Sequence, residues 1–236
     1  KNNVISKDNS LTVGYGNSSN SDNQIVAGFQ NTALGYGSIS FGSGTTSAGA
    51  YALSSGNNTL ARGAFSHAEG DGATATGVNS HAEGKTTKAT GDNSHAEGRN
   101  TQAVGPGSHT EGFETGTGVD AEYSHAEGIY SSTRAPYSHA EGYNSLTLGR
   151  ASHAEGYNTR TEGRYSHAEG HSTTSSGDWS HAEGYLSVTD NGADYAHAEG
   201  AETLASGQYS HTEGYLSKTS ENASYAHAEG EYTCVT

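Results

Sequence analysis

Histidine and glutamate stand two residues apart twelve times in this 236-residue chain, each time within Ser-His-Ala-Glu-Gly or a one-residue variant of it. The pairs are His67/Glu69, His81/Glu83, His95/Glu97, His109/Glu111, His125/Glu127, His139/Glu141, His153/Glu155, His167/Glu169, His181/Glu183, His197/Glu199, His211/Glu213 and His227/Glu229. An imidazole beside a carboxylate can do three kinds of work. It can move protons as an acid–base pair. It can ligate a metal, since imidazole suits zinc, nickel or copper. It can also make charge-assisted hydrogen bonds that join one surface to another. Catalysis needs such a pair once, so twelve equivalent copies point away from an enzyme, and no Ser-His-Asp arrangement stands apart from the repeat. The thirteenth histidine, His171, lies outside the motif and reads as a surface turn residue.

The elements that position these pairs follow from the spacing. Successive motifs start 14 residues apart, with three gaps of 16: Ser108 to Ser124, Ser180 to Ala196 and Ser210 to Ala226. A fixed period signals a repeat architecture. Between motifs runs a weaker echo, such as Thr87-Lys-Ala-Thr-Gly91 and Ser145-Leu-Thr-Leu-Gly149, so the underlying unit is seven residues: small, any, small, any, Gly, then two turn residues. The register runs back through Thr59, Ala52, Thr45, Ser38, Asn31 and Gln24 to Ser10. Alternation over five residues is the strand period, and the recurring Gly supplies turn conformations that other residues resist. Two short strands and two turns make a 14-residue coil. The expected fold is an all-β parallel solenoid of about 16 coils, roughly 75 Å long at about 4.8 Å per stacked strand. Residues 1–9 read as an irregular leader, 10–63 as coils with an apolar stripe, and 64–236 as coils carrying the His/Glu motif. The two-residue insertions fall around Gly116–Val119, Asp190–Ala193 and Ser220–Ala223, always in the half-coil without His.

Alternate strand residues face opposite sides. The first and third positions of each unit are almost uniformly Ser, Thr or Ala, which suits a narrow interior where hydroxyls can meet backbone groups. The second and fourth positions therefore face outward. In the half without His they vary freely (Lys88/Thr90, Arg160/Glu162), as solvent allows. In the other half, the stripe of His and Glu continues toward the N-terminus as Leu11, Val13, Ile25, Ile39, Phe41 and Leu53. An apolar stripe outside an already filled roll needs another surface, and a further copy of this chain is the economical one. The His/Glu ladder then continues an oligomer interface, with the carboxylate of a neighbouring chain accepting a hydrogen bond from each imidazole. Regular Thr positions point inward, so a flat, water-facing Thr array of the ice-binding kind is not expected.

Composition limits the remaining classes. Only 31% of residues are hydrophobic, there is no Met, Gly numbers 34, and the formal charge is −15. That charge, with no Lys/Arg-rich run, excludes nucleic acid as a partner. No apolar run approaches the ~20 residues of a membrane span, so membrane insertion is not expected. Cys234 is the single cysteine and can form no internal disulfide. No cofactor is implied, and the metal alternative would rest on the motif histidines. Aromatic residues crowd the turns beside the motif: Tyr123, Tyr137, Tyr143, Tyr157, Tyr165, Trp179, Tyr185, Tyr195, Tyr209, Tyr215 and Tyr225. They read as packing of turn on turn or on the next subunit, or as a ligand surface for glycans.

The 14-residue period with Gly every seven, in units such as Ser10-Leu-Thr-Val-Gly14 and Ser38-Ile-Ser-Phe-Gly42, resembles the heads of YadA-like trimeric autotransporter adhesins. The Ser-His-Ala-Glu-Gly form departs from those heads, which carry apolar residues where His and Glu stand here. It is similar to arrays in phage and prophage tail-fibre and tail-spike proteins. The resemblance implies a left-handed parallel β-roll assembled as a homotrimer. It further implies a structural or adhesive role, with host-surface glycan or protein as partner, on a virion tail or a bacterial surface. The pH expectation follows from the ladder: His and Glu share protons, and assembly responds to pH.

Overall fold

The computed structural model describes residues 2–236, and among them there is no helix. The chain is an all-β parallel solenoid that divides into two compact units, one ending at Val119 and one running from Asp120 to Thr236. In each unit every coil places one strand on a front face and one on a back face, and strands of successive coils pair in parallel.

In the first unit, front strands such as Leu11–Tyr15, Ile25–Phe29, Leu53–Asn57 and His67–Asp71 pair rung on rung, with Leu53 opposite His67 and His67 opposite His81. The second unit repeats the pattern, with His139 opposite His153 and His153 opposite His167. The register is therefore in steps of one coil, and like residues stack on like. The stripe read from the sequence is real within each unit.

Two features differ from expectation. Val4–Ile5, placed in an irregular leader, form a strand paired with Ser18–Ser19 and supply an additional back rung. The two strands of a coil are also unequal. Front strands commonly run five residues, as in His153–Tyr157, whereas back strands run two, as in Leu146–Thr147. The motif Gly does not end its strand: Gly156 lies inside His153–Tyr157, and the chain turns only at the following two residues. Its role is close approach. A Cβ on Gly70 would sit 2.2 Å from the carbonyl oxygen of Gly84, and φ there is +109°. The turn is made by the residue two places on, such as Asn144 or Asn158, at a left-handed φ of 55° and 57°. Asn tolerates that region better than most residues.

The interior holds the small residues in both units. Ala68, Ala82, Ala140 and Ala154 are fully buried, alongside Ser66, Ser80, Ser138 and Ser152. The Ser hydroxyls donate to carbonyls three residues back, Ser66 Oγ to Gly63 O at 2.7 Å and Ser152 Oγ to Gly149 O at 2.7 Å. The largest buried side chains include the amide of Gln24 beside the apolar Val26. Gln24 accepts from Ser19 Oγ at 2.8 Å and donates to Gly35 O at 2.7 Å.

Candidate functional site, a ladder of histidine and glutamate

Front strands put His and Glu on the outer face because the intervening Ala points inward. Residues two apart on a strand share a face. Every motif histidine from His67 to His211 is partly buried, and stacking is continuous within each unit. In the first unit the rings of His67, His81, His95 and His109 lie 4.6–4.8 Å apart. In the second, from His125 to His227, the separations are 4.7–4.9 Å with interplanar angles of 8° or less.

The imidazole Nε2 atoms face carboxylates of their own chain. His139 Nε2 lies 3.9 Å from Glu127 and 3.7 Å from Glu141; His181 Nε2 lies 3.8 Å from Glu169 and 3.9 Å from Glu183. His197 Nε2 is 3.7 Å from Glu199, and His211 Nε2 sits between Glu199 at 3.8 Å and Glu213 at 3.9 Å. His67 Nε2 comes nearest to its carboxylate, 3.4 Å from Glu69. Nearly all these separations exceed a hydrogen bond. The Nε2 atoms of His67, His81, His95, His139, His153, His167, His181, His197 and His211 are sealed from solvent and have no hydrogen-bond partner within the chain. A buried polar atom left so costs about 1–3 kcal/mol.

These positions bear on two expectations. Glu69, Glu199 and Glu213 are expected to pair with imidazoles of a neighbouring chain; within one chain each also lies against a histidine of its own. A Glu from another chain therefore meets competition, because the chain's own carboxylates already cover Nε2. The twelve rungs were also expected to be equivalent, and they are not. The Glu69 and Glu199 side chains are 43% and 39% exposed, against 31% for Glu213. Glu69 follows a rung bearing Ser55 instead of Glu, so no carboxylate covers it from that side. Among the described residues His227 and Glu229 stand on the last front strand, and both are exposed. Glu229 is held there through its backbone, whose carbonyl accepts from Thr233 Oγ1 at 2.8 Å.

Among the groups whose titration shifts, the histidines move down and two glutamates move up. Burial, and then the charge of stacked imidazoles, holds His81, His109, His139 and His211 below the ordinary histidine value, and His181 is lowered to about 4. Hydrogen bonding with Glu111 and then Glu83 pushes Glu97 up to about 7, and bonding with Glu169 and then Glu141 raises Glu155. The partners shift the other way: hydrogen bonds from Glu97 and Glu127 lower Glu83 and Glu141. Raised and lowered carboxylates on adjacent rungs are what like charges at close range produce. The lowered histidines run against proton sharing between His and Glu.

Metal donors are also brought together. His81, Glu83 and His95 offer ligand atoms within 4.8 Å of one another, and so do His139, Glu141 and His153. The donor types suit zinc or nickel. Stacked rings limit the fit, since their in-plane lone pairs run parallel instead of converging on one point. Two imidazoles of one ladder could chelate a shared ion only after one ring turned.

The N-terminal apolar residues lie on the same outer face. Leu11, Val13, Ile25 and Phe41 are exposed, while Ile39 and Leu53 are partly covered. The turn aromatics form two ladders bordering the stripe. On the border before each motif, Tyr165, Trp179, Tyr195, Tyr209 and Tyr225 stack at 4.8–5.5 Å. On the border after it, Tyr143, Tyr157, His171 and Tyr185 follow one another at 4.8–5.2 Å. Tyr215 stands on this second border too, but beside Ala201, and meets Tyr232 edge-on at 5.7 Å instead. Sequence reading missed that His171 is a rung of this ladder; its place directly after Gly170, where Tyr157 follows Gly156, is the signal. Rings stacked face to face present mainly edges to solvent, which disfavours a sugar seeking an open ring face; Tyr225 and Tyr123 are the most exposed of these border rings.

The border rings before the motif are also strained. Tyr123, Tyr137, Tyr165, Trp179, Tyr195, Tyr209 and Tyr225 all have φ of 51–63°. For residues other than Gly, Asn and Asp that conformation costs about 1–2 kcal/mol, and one stacked pair returns about 0.5–1.5 kcal/mol. From Tyr137 onward each is anchored by its amide to the turn before, as Tyr165 N to Arg150 O at 2.9 Å.

Compared with family models and with curated proteins, the chain matches none.

Proposed function

We propose that this chain is a non-enzymatic fibrous protein, a homotrimer of left-handed β-rolls that presents a host- or cell-surface-binding surface, as a phage tail fibre or spike or a bacterial surface adhesin head. The observation that carries this reading is the stripe. One outer face bears exposed Leu11, Val13, Ile25 and Phe41 and then, in the same register, the His and Glu of the motif. Exposed apolar surface of this kind belongs against another protein surface, and a chain with the same repeat matches it rung for rung. Buried polar layers then fix the register, as they do in coiled coils. Handedness and the number three rest on the resemblance to adhesin heads. Replacing Leu11 and Ile25 together by Asp tests the stripe: the variant should dissociate at micromolar concentration and lose adhesion to host cells, glycan or protein. A variant that stays assembled removes the stripe from the interface.

The His/Glu/His groups support a second reading, a metal-binding repeat protein with ions on stacked layers. Elemental analysis of the purified chain separates the two. Stoichiometric zinc, nickel or copper with loss of stability in chelator supports the metal reading, and a metal-free, chelator-insensitive assembly supports the first.

A further inference from the structure

We infer that the two aromatic borders of the second unit are halves of one contact, closed by another copy of this chain. The border of Tyr137, Tyr165 and Trp179 on one copy packs against the border of Tyr143, Tyr157 and Tyr185 on the next. This rests on the proposed self-assembly and extends it from the stripe to both of its margins.

Three observations carry it. First, the borders change character together. The coils with Asn79 and Asn93 before the motif have Lys85 and Arg99 after it, while rings stand on both sides in the coils of Tyr137 and Tyr143, Tyr165 and His171, Trp179 and Tyr185, and Tyr209 and Tyr215. Where one side is small the other is large: Ala151 shares a coil with Tyr157, and Ala201 with Tyr195. Second, in the first unit the coil with Arg99 after its motif has Asp92 two residues before it, beside the border position of Asn93. Within one copy the two borders are separated by a five-residue front strand, about 17 Å, so this matching has no use inside the chain. Third, stacking covers the ring faces and leaves a line of half-exposed edges at a 4.8–5.5 Å repeat. A partner that meets every rung alike must have that repeat, and a second copy has it. The strained backbone supports the same conclusion. Asn79 and Asn93 hold this turn position at a φ their side chains tolerate, yet Tyr165, Trp179, Tyr195 and Tyr209 occupy it in four successive coils.

Cysteine cross-linking in a Cys234→Ser background tests the contact. Tyr143→Cys is combined in turn with Tyr123→Cys, Tyr137→Cys and Ala151→Cys, covering the coil opposite and one on either side, and the native mass of the parent is measured beside them. After oxidation at least one double variant should run as a covalent multimer on a denaturing gel, while every single variant runs as monomer. If the parent is multimeric and no double variant links, the borders do not meet, and self-assembly stands without this contact. Dimers from single variants would show like border on like border and overturn the proposal. A monomeric parent overturns both it and the assembly on which it rests. Tyr195→Asn gives an independent reading, because Asn suits the backbone there. Association should weaken at least tenfold with an unchanged far-UV circular dichroism spectrum; unchanged association contradicts the contact.

Discussion

At the scale of single residues, the motif divides its labour by side chain. Ser and Ala fill the interior, His and Glu face out, and Gly lets two backbones touch. The Gly requirement is steric before it is conformational. Gly70→Ala would force a Cβ to 2.2 Å from Gly84 O at φ +109°. Gly72, at φ +72°, has nothing closer than 4.0 Å. Gly70→Ala should therefore cost more than about 3 kcal/mol and Gly72→Ala about 1–2 kcal/mol, read from denaturant titration. Equal costs would leave the close approach without consequence. The ladder also makes a signed pH prediction. Glu97 keeps its proton in the fold up to about 7 against an ordinary 4.5, so its contribution is complete below pH 4.5 and is lost as pH rises through 7. His181, lowered from 6.5 to about 4, acts oppositely: its contribution is complete above pH 6.5 and is lost as pH falls toward 4. Glu97→Gln keeps the hydrogen-bonding amide and removes the titration. Its melting temperature should fall less than the parent's between pH 5 and 8, and parallel curves would exclude proton sharing at this rung.

At the scale of elements, the coil is the unit of stability. Each coil is hydrogen-bonded to its neighbours through both strands and both turns, so one whole coil is removable and half a coil is not. Deleting residues 152–165 joins Ala151 to Ser166 and restores every register pair in the second unit. That variant should keep the parent's far-UV circular dichroism and melt within a few degrees of it. Deleting only residues 152–158 brings the back-strand sequence onto the front face and should abolish cooperative melting. Equal behaviour of the two deletions would contradict the coil as the folding unit. Much of this was legible in the sequence, because Gly every seven residues and small residues at alternate positions are the direct imprint of a close-packed roll. Val4–Ile5 were not, since their unit has lost the Gly, although parallel pairing to Ser18–Ser19 needs only backbone. The shortness of back strands such as Leu146–Thr147 was not legible either, because both halves of the coil share one five-residue pattern. His171 escaped because it falls outside the motif, and its stacking partners Tyr157 and Tyr185 lie one coil away on either side. The coupling among glutamates was hidden for a similar reason: within the motif each Glu stands beside a His, while the next Glu lies one coil away and comes beside it only through the register. The separate standing of Glu69 was hidden by the motif itself, which is identical beside Ser55 and beside another Glu.

At the scale of the molecule, both units carry the His/Glu stripe on an outer face, and the first adds exposed apolar residues toward its N-terminus; the proposed completion is two further copies about a common axis. The net charge of −15 makes close association of three chains depend on neutralising the ladder, and protonated glutamates such as Glu97 do part of that. The most direct measurement is the mass in solution by sedimentation velocity at micromolar concentration near pH 6, with and without chelator. Self-assembly through the stripe predicts three times the 24.2 kDa chain mass in both conditions. A single species at 24.2 kDa would contradict it.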